Sequence, residues 1–294
     1  MAGPLIECVA NFSEGRDRAT VAAIEGAVRS VAGVVVLRSE MDADHNRSVI
    51  TFAGPPDAVA KGALRGIEIA VQRIDLRKHA GVHPRMGAAD VVPFVPLEGA
   101  TLADCVAIAR RTGEEVWNRF KVPVYFYEAA ALSPDRRPLE NCRRGGFENP
   151  RIAPDVGGPG LHPSAGACII GARKLLIAFN VNLKTGDVRV AREIARKIRA
   201  SSGGMPFVKA LGLSLAERGL VQVSMNLTDF EQTPLHQVFD AVRREAAARG
   251  VEIAGTEIIG LMPRKALEDA AAHYLQCENF DSSLVLENRL RALE

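Results

Sequence analysis

The chain has 294 residues, 47% hydrophobic and 24% charged, with a formal net charge of +2. These values fit a globular protein with a real core and argue against a disordered or fibrous chain. Acids and bases are mixed along the sequence. No Lys/Arg tract or aromatic-basic interleaving marks a nucleic-acid groove, and no apolar stretch reaches the length of a membrane span.

PLIECVANF (4–12) reads as a short buried strand. Val21, Ile24, Ala27, Val28 and Val31 then recur at helical spacing until Gly33 stops them. VVVLRSEM (34–41) and RSVITFAG (47–54) predict two strands joined by the polar turn DADHN. Residues 55–74 open on two prolines and place Val59, Ala63, Ile67, Ala70, Val71 and Ile74 on one helix face. DVVPFVPL (90–97) is β-rich, but its prolines predict a short or edge strand. A helix over 101–120 and a strand over 122–128 complete the order βαββαβαβ, the alternation of a sheet covered by helices.

Residues 131–166 break the pattern with many Pro, Gly and Arg residues, ending in APDVGGPGLHPSAG. A weakly structured stretch of this length points to a binding loop or a connection. A second α/β unit is expected beyond it. Its elements are a strand over 172–183, helices over 187–201 and 206–219, a strand over 220–230, a helix over 234–250, a strand over 251–263 and a helix over 263–276. The halves share an alternation of elements but no convincing sequence repeat. Five widely spaced cysteines without a CxxC fit free thiols in a reducing compartment. The N-terminus has no basic region followed by an apolar run, so no signal peptide is expected and a cytoplasmic protein is.

The chemistry concentrates in LRKHAGVHPRMGAADVVPFVP (76–96). Pro84 pushes His83 toward extended backbone. Gly81 and Gly87 permit conformations closed to other residues and would let a ligand approach. An imidazole here can exchange protons near neutral pH, and Arg77 and Arg85 offer planar forks for carboxylates. From the residues alone, a turn histidine bonded to backbone explains the same pattern. His79 and His83 stand four apart, but Gly81 and Pro84 interrupt the helix that such a ligand pair needs. With no third ligand nearby, no metal is expected.

Asp42, Asp44, His45, Asn46 and Arg47 form a second polar group between two strands, readable as a site or as a solvated turn. The segment Gly157, Gly158, Pro159, Gly160, Leu161, His162, Pro163, Ser164, Ala165 and Gly166 is neither a Walker loop nor a dinucleotide fingerprint. It could wrap a planar ligand through backbone contacts or serve as a linker. Ser13-Glu14-Gly15 is turn-and-cap chemistry. No GxSxG elbow or Cys–His pairing supports covalent catalysis, and Cys8 and Cys168 read as packing residues.

Seven blocks carry a resemblance: ECVANFSEGR (7–16), NRSVITFAGPP (46–56), HPRMGAADVVPFVP (83–96), VPVYFYEAA (122–130), GARKLLIAFNVNL (171–183), VQVSMNLTDFEQTPLHQVF (221–239) and GLMPRKALEDAA (260–271). In this order they resemble glutamate formiminotransferase, the transferase part of formimidoyltransferase-cyclodeaminase, a folate enzyme of histidine breakdown. The length accommodates the transferase without the helical cyclodeaminase.

The resemblance implies an α/β (α+β) fold of two subdomains, 1–172 and 173–294. Each would be a mixed sheet with helices on its outer face, the two sheets facing each other around the substrates, usually in a homodimer. It implies His83 as the catalytic histidine, residues 157–166 as the folate-binding segment, and tetrahydrofolate as co-substrate with N-formimino-L-glutamate. Arg47 and Arg85 are candidates to hold carboxylates or orient the amidine. Asp42 or Asp90 are candidates to hold the imidazole or the cationic formimino group. Three departures are notable: Val82 replaces an acid before the histidine, Ala10 replaces a proline, and Leu161-His162 and Ala165 replace larger apolar or aromatic residues. They leave two alternatives open: a relative using 5-formyltetrahydrofolate or N-formylglutamate as donor, and a folate-binding protein without turnover.

Overall fold

A computed structural model describes residues 3–43, 45–81 and 85–290. The chain divides into two compact units, Met1–Lys174 and Leu175–Glu294.

In the first unit the elements follow one another as β1 (Ile6–Phe12), α1 (Arg18–Arg29), β2 (Val35–Asp42), β3 (Arg47–Gly54), α2 (Pro56–Arg73), β4 (Ala89–Pro96), α3 (Leu102–Phe120), β5 (Val124–Glu128), α4 (Leu139–Cys142) and β6 (Cys168–Ala172). Local chemistry sets the helix starts. The Asp17 carboxylate accepts from Ala19 N at α1, Pro56 occupies the first turn of α2, and Thr101 and Asp104 form a reciprocal capping box at α3. The strands form one six-stranded sheet in the order β2-β3-β1-β4-β6-β5. β1 to β4 pair antiparallel, while β4 and β5 each pair parallel with β6, so this sheet is mixed.

One face of the sheet is covered by the three long helices. Ile6, Cys8 and Phe12 of β1, with Phe52, Phe94 and Ile170, pack against Ile24 and Val28, against Val59, Ala63 and Ile67, and against Ile108 and Val116. The other face is apolar where β4, β6 and β5 lie side by side. There Met86, Val91, Tyr125, Tyr127, Ala167 and Ile169 enclose Cys142 of α4, with Leu139, Ile152 and Leu161 packed around them. The connection over 131–166 is therefore partly a covering layer with its own small core.

β4 corrects the reading of its prolines. It lies between β1 and β6, inside the sheet rather than at an edge. Its partners on β1 pass from Cys8–Phe94 to Asn11–Val91, and Pro93 falls in the unpaired interval between them. The missing N–H thus coincides with a gap in the ladder, which is how a proline survives in an interior strand.

The second unit contains β7 (Ile177–Leu183), α5 (Val188–Ile198), β8 (Val208–Leu215), β9 (Leu220–Leu227), α6 (Leu235–Ala247), β10 (Ile253–Ile259), α7 (Arg264–Leu275) and α8 (Leu286–Leu290). Three expectations change here. The strand read over 172–183 begins at Ile177, and the preceding Cys168–Ala172 is a separate strand of the first sheet. The helix read over 206–219 is β8, paired with β9 from Val208–Leu227 to Leu215–Leu220. Buried Val208 and Ala210 alternate with exposed Lys209 and Leu211, a two-residue period masked in the sequence by leucines on the outward face. Finally, the second sheet is not mixed: its order is β10-β7-β9-β8 and every pairing is antiparallel.

The reason is a shared topology. β1-α1-β2-β3-α2-β4 and β7-α5-β8-β9-α6-β10 are both split βαβ arrangements, in which the strands joined by a helix are separated by a third running the other way. Only the first unit adds β5 and β6, and these supply its parallel pairs. The alternation noticed in the sequence is thus a repeated fold without a repeated sequence. Among the described residues, no helix is long and apolar enough to cross a membrane.

Candidate functional site

His83, with Val82 and Pro84, lies outside the described residues, as does Asp44. The segments on either side of His83 are described, and five stretches of the first unit converge on them.

On the N-terminal side, Leu76 N donates to Ser164 O at 2.8 Å. The His79 ring Nε2 lies 2.9 Å from the Asn46 carbonyl, so that nitrogen carries the proton in this contact. Asn46, only 7% exposed, donates through Nδ2 to Ala80 O and accepts from Gly15 N through Oδ1. Its φ of 49° suits an asparagine, one of the few side chains tolerated in the left-handed region. Gly81 has a steric reason: a Cβ there would sit 2.5 Å from His45 O.

On the C-terminal side, Phe147 N donates to Arg85 O at 3.0 Å, and the Arg85 guanidinium donates to Leu76 O, His79 O and, at 2.7 Å, Glu148 Oε1. Ser13 Oγ donates to Gly87 O at 2.7 Å, and Ala167 N to Met86 O at 3.0 Å. Gly87 and Gly166 pair directly. A Cβ on Gly87 would lie 2.0 Å from Ala167 O, and one on Gly166, whose φ is +68°, 2.1 Å from Met86 O. Gly81 and Gly87 were expected to open space for a ligand. At both positions the space is instead filled by neighbouring backbone, and the glycines let chain segments touch.

Asp90 is the anchor of this assembly. Its side chain is fully buried. Oδ1 accepts from Met86 N at 2.7 Å and Gly87 N at 3.2 Å, while Oδ2 accepts from Arg47 Nη1 at 2.7 Å and Arg143 Nη2 at 2.6 Å. Burial alone would raise its carboxyl, but the Arg143 and Arg47 guanidiniums overcome that and draw it down to about 2. Among the described residues these four donors share its two oxygens, so Asp90 ties Arg47 and Arg143 to the backbone of Met86 and Gly87. Arg47 further donates to Asn11 Oδ1 from Nε and Nη2. Asp42 pairs with Arg47 across β2 and β3, accepts from His45 N at 2.8 Å and faces the His45 ring Nδ1 at 2.7 Å.

The glycine-rich stretch behaves as two halves. Gly157, at φ +88°, packs on the Trp117 ring, where a Cβ would come within 2.6 Å, and a Cβ on Gly158 or Gly160 would meet nothing. Pro159 and Gly160 are exposed, and Leu161 packs against the small core. The second half is locked. His162 N and O exchange hydrogen bonds with Gly166, and His162 Nδ1 accepts from Ala165 N at 3.0 Å. Partial burial lowers the His162 imidazole from its ordinary value, consistent with a neutral ring that accepts. Pro163 is exposed, Ser164 half-buried and Ala165 buried. The end of this stretch is therefore adjacent to the residues that follow His83.

Sequence reasoning missed Ser13 as a fastener, Asn46 as a clamp, and Arg143 and Glu148 as parts of the site. The last two lie in RRGGFE, a run of charges and glycines within the connection, and only that composition could have signalled them. Among the described residues, no group of three or more His, Cys, Asp or Glu side chains is arranged to hold a metal ion.

With this geometry in view, comparison with known proteins identifies the architecture. Residues 5–173 match the formiminotransferase domain, N-terminal subdomain, and residues 178–291 match the formiminotransferase domain. A glutamate formimidoyltransferase of Thermoplasma acidophilum is 45% identical over 97% of both chains. One from Streptococcus pyogenes serotype M1 is 42% identical over 97% of this chain and 98% of its own. A mouse formimidoyltransferase-cyclodeaminase is 42% identical over 98% of this chain, which spans 55% of that longer protein. The blocks singled out in the sequence, the two units of the fold and the matches to these relatives agree: the chain belongs to the formiminotransferase family.

Proposed function

We propose that this chain transfers the formimino group of N-formimino-L-glutamate to N5 of tetrahydrofolate, releasing 5-formiminotetrahydrofolate and L-glutamate in histidine degradation. Its relatives named glutamate formimidoyltransferase, similar over nearly their whole length, support the reaction. The observation that carries the site is the direct pairing of Gly87 with Gly166, which fastens the segment after His83 to the end of the 157–166 stretch.

In this reading N5 attacks the formimino carbon and passes its proton to the His83 imidazole. The bond from that carbon to the glutamate nitrogen then breaks, and His83 returns the proton to the leaving nitrogen. Base and acid roles in turn are typically worth 10²–10⁴-fold in rate. Arg85, beside His83 and braced by Glu148, is assigned to a substrate carboxylate, as is Arg47. Asp42 is assigned to the same end of the site. Residues 157–166 receive the pterin, with the open positions Gly158 and Gly160 nearest to it. The protein is expected to act in the cytoplasm as a homodimer.

The test is the spectroscopic formation of 5-formiminotetrahydrofolate. His83→Ala should lose at least about 100-fold in kcat while still binding tetrahydrofolate. Undiminished turnover would reject His83. Turnover with 5-formyltetrahydrofolate or N-formylglutamate, and not with formiminoglutamate, would move the protein to another one-carbon donor.

A further inference from the structure

The sequence reading left Arg143 without a role, and the structure brings it to the middle of the site. It follows α4 directly, in the covering layer, and its Nη2 reaches the buried Asp90 carboxylate at 2.6 Å. We infer that Arg143 is a specificity-determining residue whose guanidinium binds a carboxylate of a glutamyl group, and that Asp90 is the residue that positions it. This rests on the transferase reading above, in which both the donor and the folate carry glutamyl carboxylates.

Three observations carry the inference. First, Arg143 and Arg47 donate to the same oxygen, Asp90 Oδ2. One buried carboxylate thus holds two like charges side by side, with the side chains of Arg47 and Arg143 only 12% and 15% exposed. Burial lowers the Arg47 guanidinium and Arg143 lowers it further, against the pull of Asp90. An anion arriving between the two would offset that repulsion.

Second, the Nε atoms of Arg143 and Arg85 are both buried and neither has a hydrogen-bond partner. Buried donors are normally paired, so each of these Nε–H groups marks a missing acceptor. A carboxylate is the acceptor that matches a guanidinium edge.

Third, the turn carrying Arg143 is fastened to Arg85. Phe147 N donates to Arg85 O, and Glu148 pairs with the Arg85 guanidinium. Arg143 is therefore fastened to residues on the C-terminal side of His83. A lock on Asp90 alone needs one arginine, whereas the second arginine and the two free Nε–H groups fit a binding role.

The experiment compares substrates as well as variants. kcat/KM is measured for the wild type, Arg143→Met and Arg143→Lys with N-formimino-L-glutamate, with its α-amide and γ-amide analogues, and with tetrahydropteroate in place of tetrahydrofolate. Removing the contacted carboxylate should cost the wild type about 10- to 100-fold, the worth of a charge-assisted hydrogen bond. Arg143→Met should lose a similar factor on the intact substrate, mainly in KM, and should no longer distinguish it from the analogue. Arg143→Lys should recover part of that discrimination.

A loss confined to a donor amide assigns the donor, and one confined to tetrahydropteroate assigns the folate tail. If Arg143→Met does not fold, Arg143→Gln, which keeps a donor for Asp90, takes its place. A variant that discriminates against the analogues as sharply as the wild type overturns the inference, as does a wild type indifferent to all three. A wild type that makes no 5-formiminotetrahydrofolate from the intact pair would instead overturn the transferase reading.

Discussion

At the scale of single residues the site is organised by Asp90 more than by any other described group. An aspartate among four donors, fully buried, is held ionised by its partners. Its carboxyl sits at about 2 in the folded chain against an ordinary 3.8. Because the folded value is depressed, the stabilisation is fully present above about pH 4 and is lost as pH falls through 2. Denaturant midpoints of the wild type should therefore drop between pH 4 and pH 2. Asp90→Asn should flatten that part of the profile and cost about 3–5 kcal/mol at neutral pH, because two buried guanidiniums then lose their counter-charge. An unaltered acid limb in the variant would show that other carboxylates control it. Asp90 stood in the sequence as one of two acids near a histidine. Its occupancy by arginines 43 and 53 positions away could not be read there, because ion pairing depends on the tertiary path of the chain.

At the scale of elements, most strands and long helices were legible because each buries one face and so shows its period. The exceptions have local causes. β4 hides Pro93 in an interval unpaired with β1, and β8 carries leucines on an exposed face where polar residues were expected. The 131–166 connection has no period because its order comes from packing on β4, β5 and β6. The turn over His162–Gly166 belongs to this scale too, since it exists through reciprocal hydrogen bonds and a positive-φ glycine. Gly166→Ala would meet Met86 O and adopt a disfavoured φ, a strain of about 1–3 kcal/mol. It should lower both thermal stability and turnover by displacing the residues after His83. Full turnover in a destabilised Gly166→Ala protein would show that the Gly87–Gly166 contact does not govern the site.

At the scale of the whole molecule, the chain has two units with separate apolar cores. Each contains the same split βαβ arrangement, which explains why the sequence showed an alternation without a repeat: topology demands apolar periods, not particular residues. The separation has a measurable consequence. In β8, a Cβ on Gly212 would lie 2.3 Å from Arg192 N of α5. Gly212→Ala should cost about 1–3 kcal/mol by overpacking. Hydrogen exchange should then accelerate in β7 to β10 while β1 to β6 keep their protection. Equal acceleration in both sheets would mean that the units open as one.

What the sequence by itself determined was the set of chemistry-bearing segments, the alternation of elements and the family to which they point. Those follow from residue type, spacing and order, all of which are local. Only the tertiary structure decided that Gly81 and Gly87 serve chain-to-chain contact, that Asp90 is sequestered by Arg47 and Arg143, and that a proline-bearing strand lies inside a sheet. These depend on which distant segments meet. That is set by how the apolar faces pack together, and no single stretch of sequence contains it.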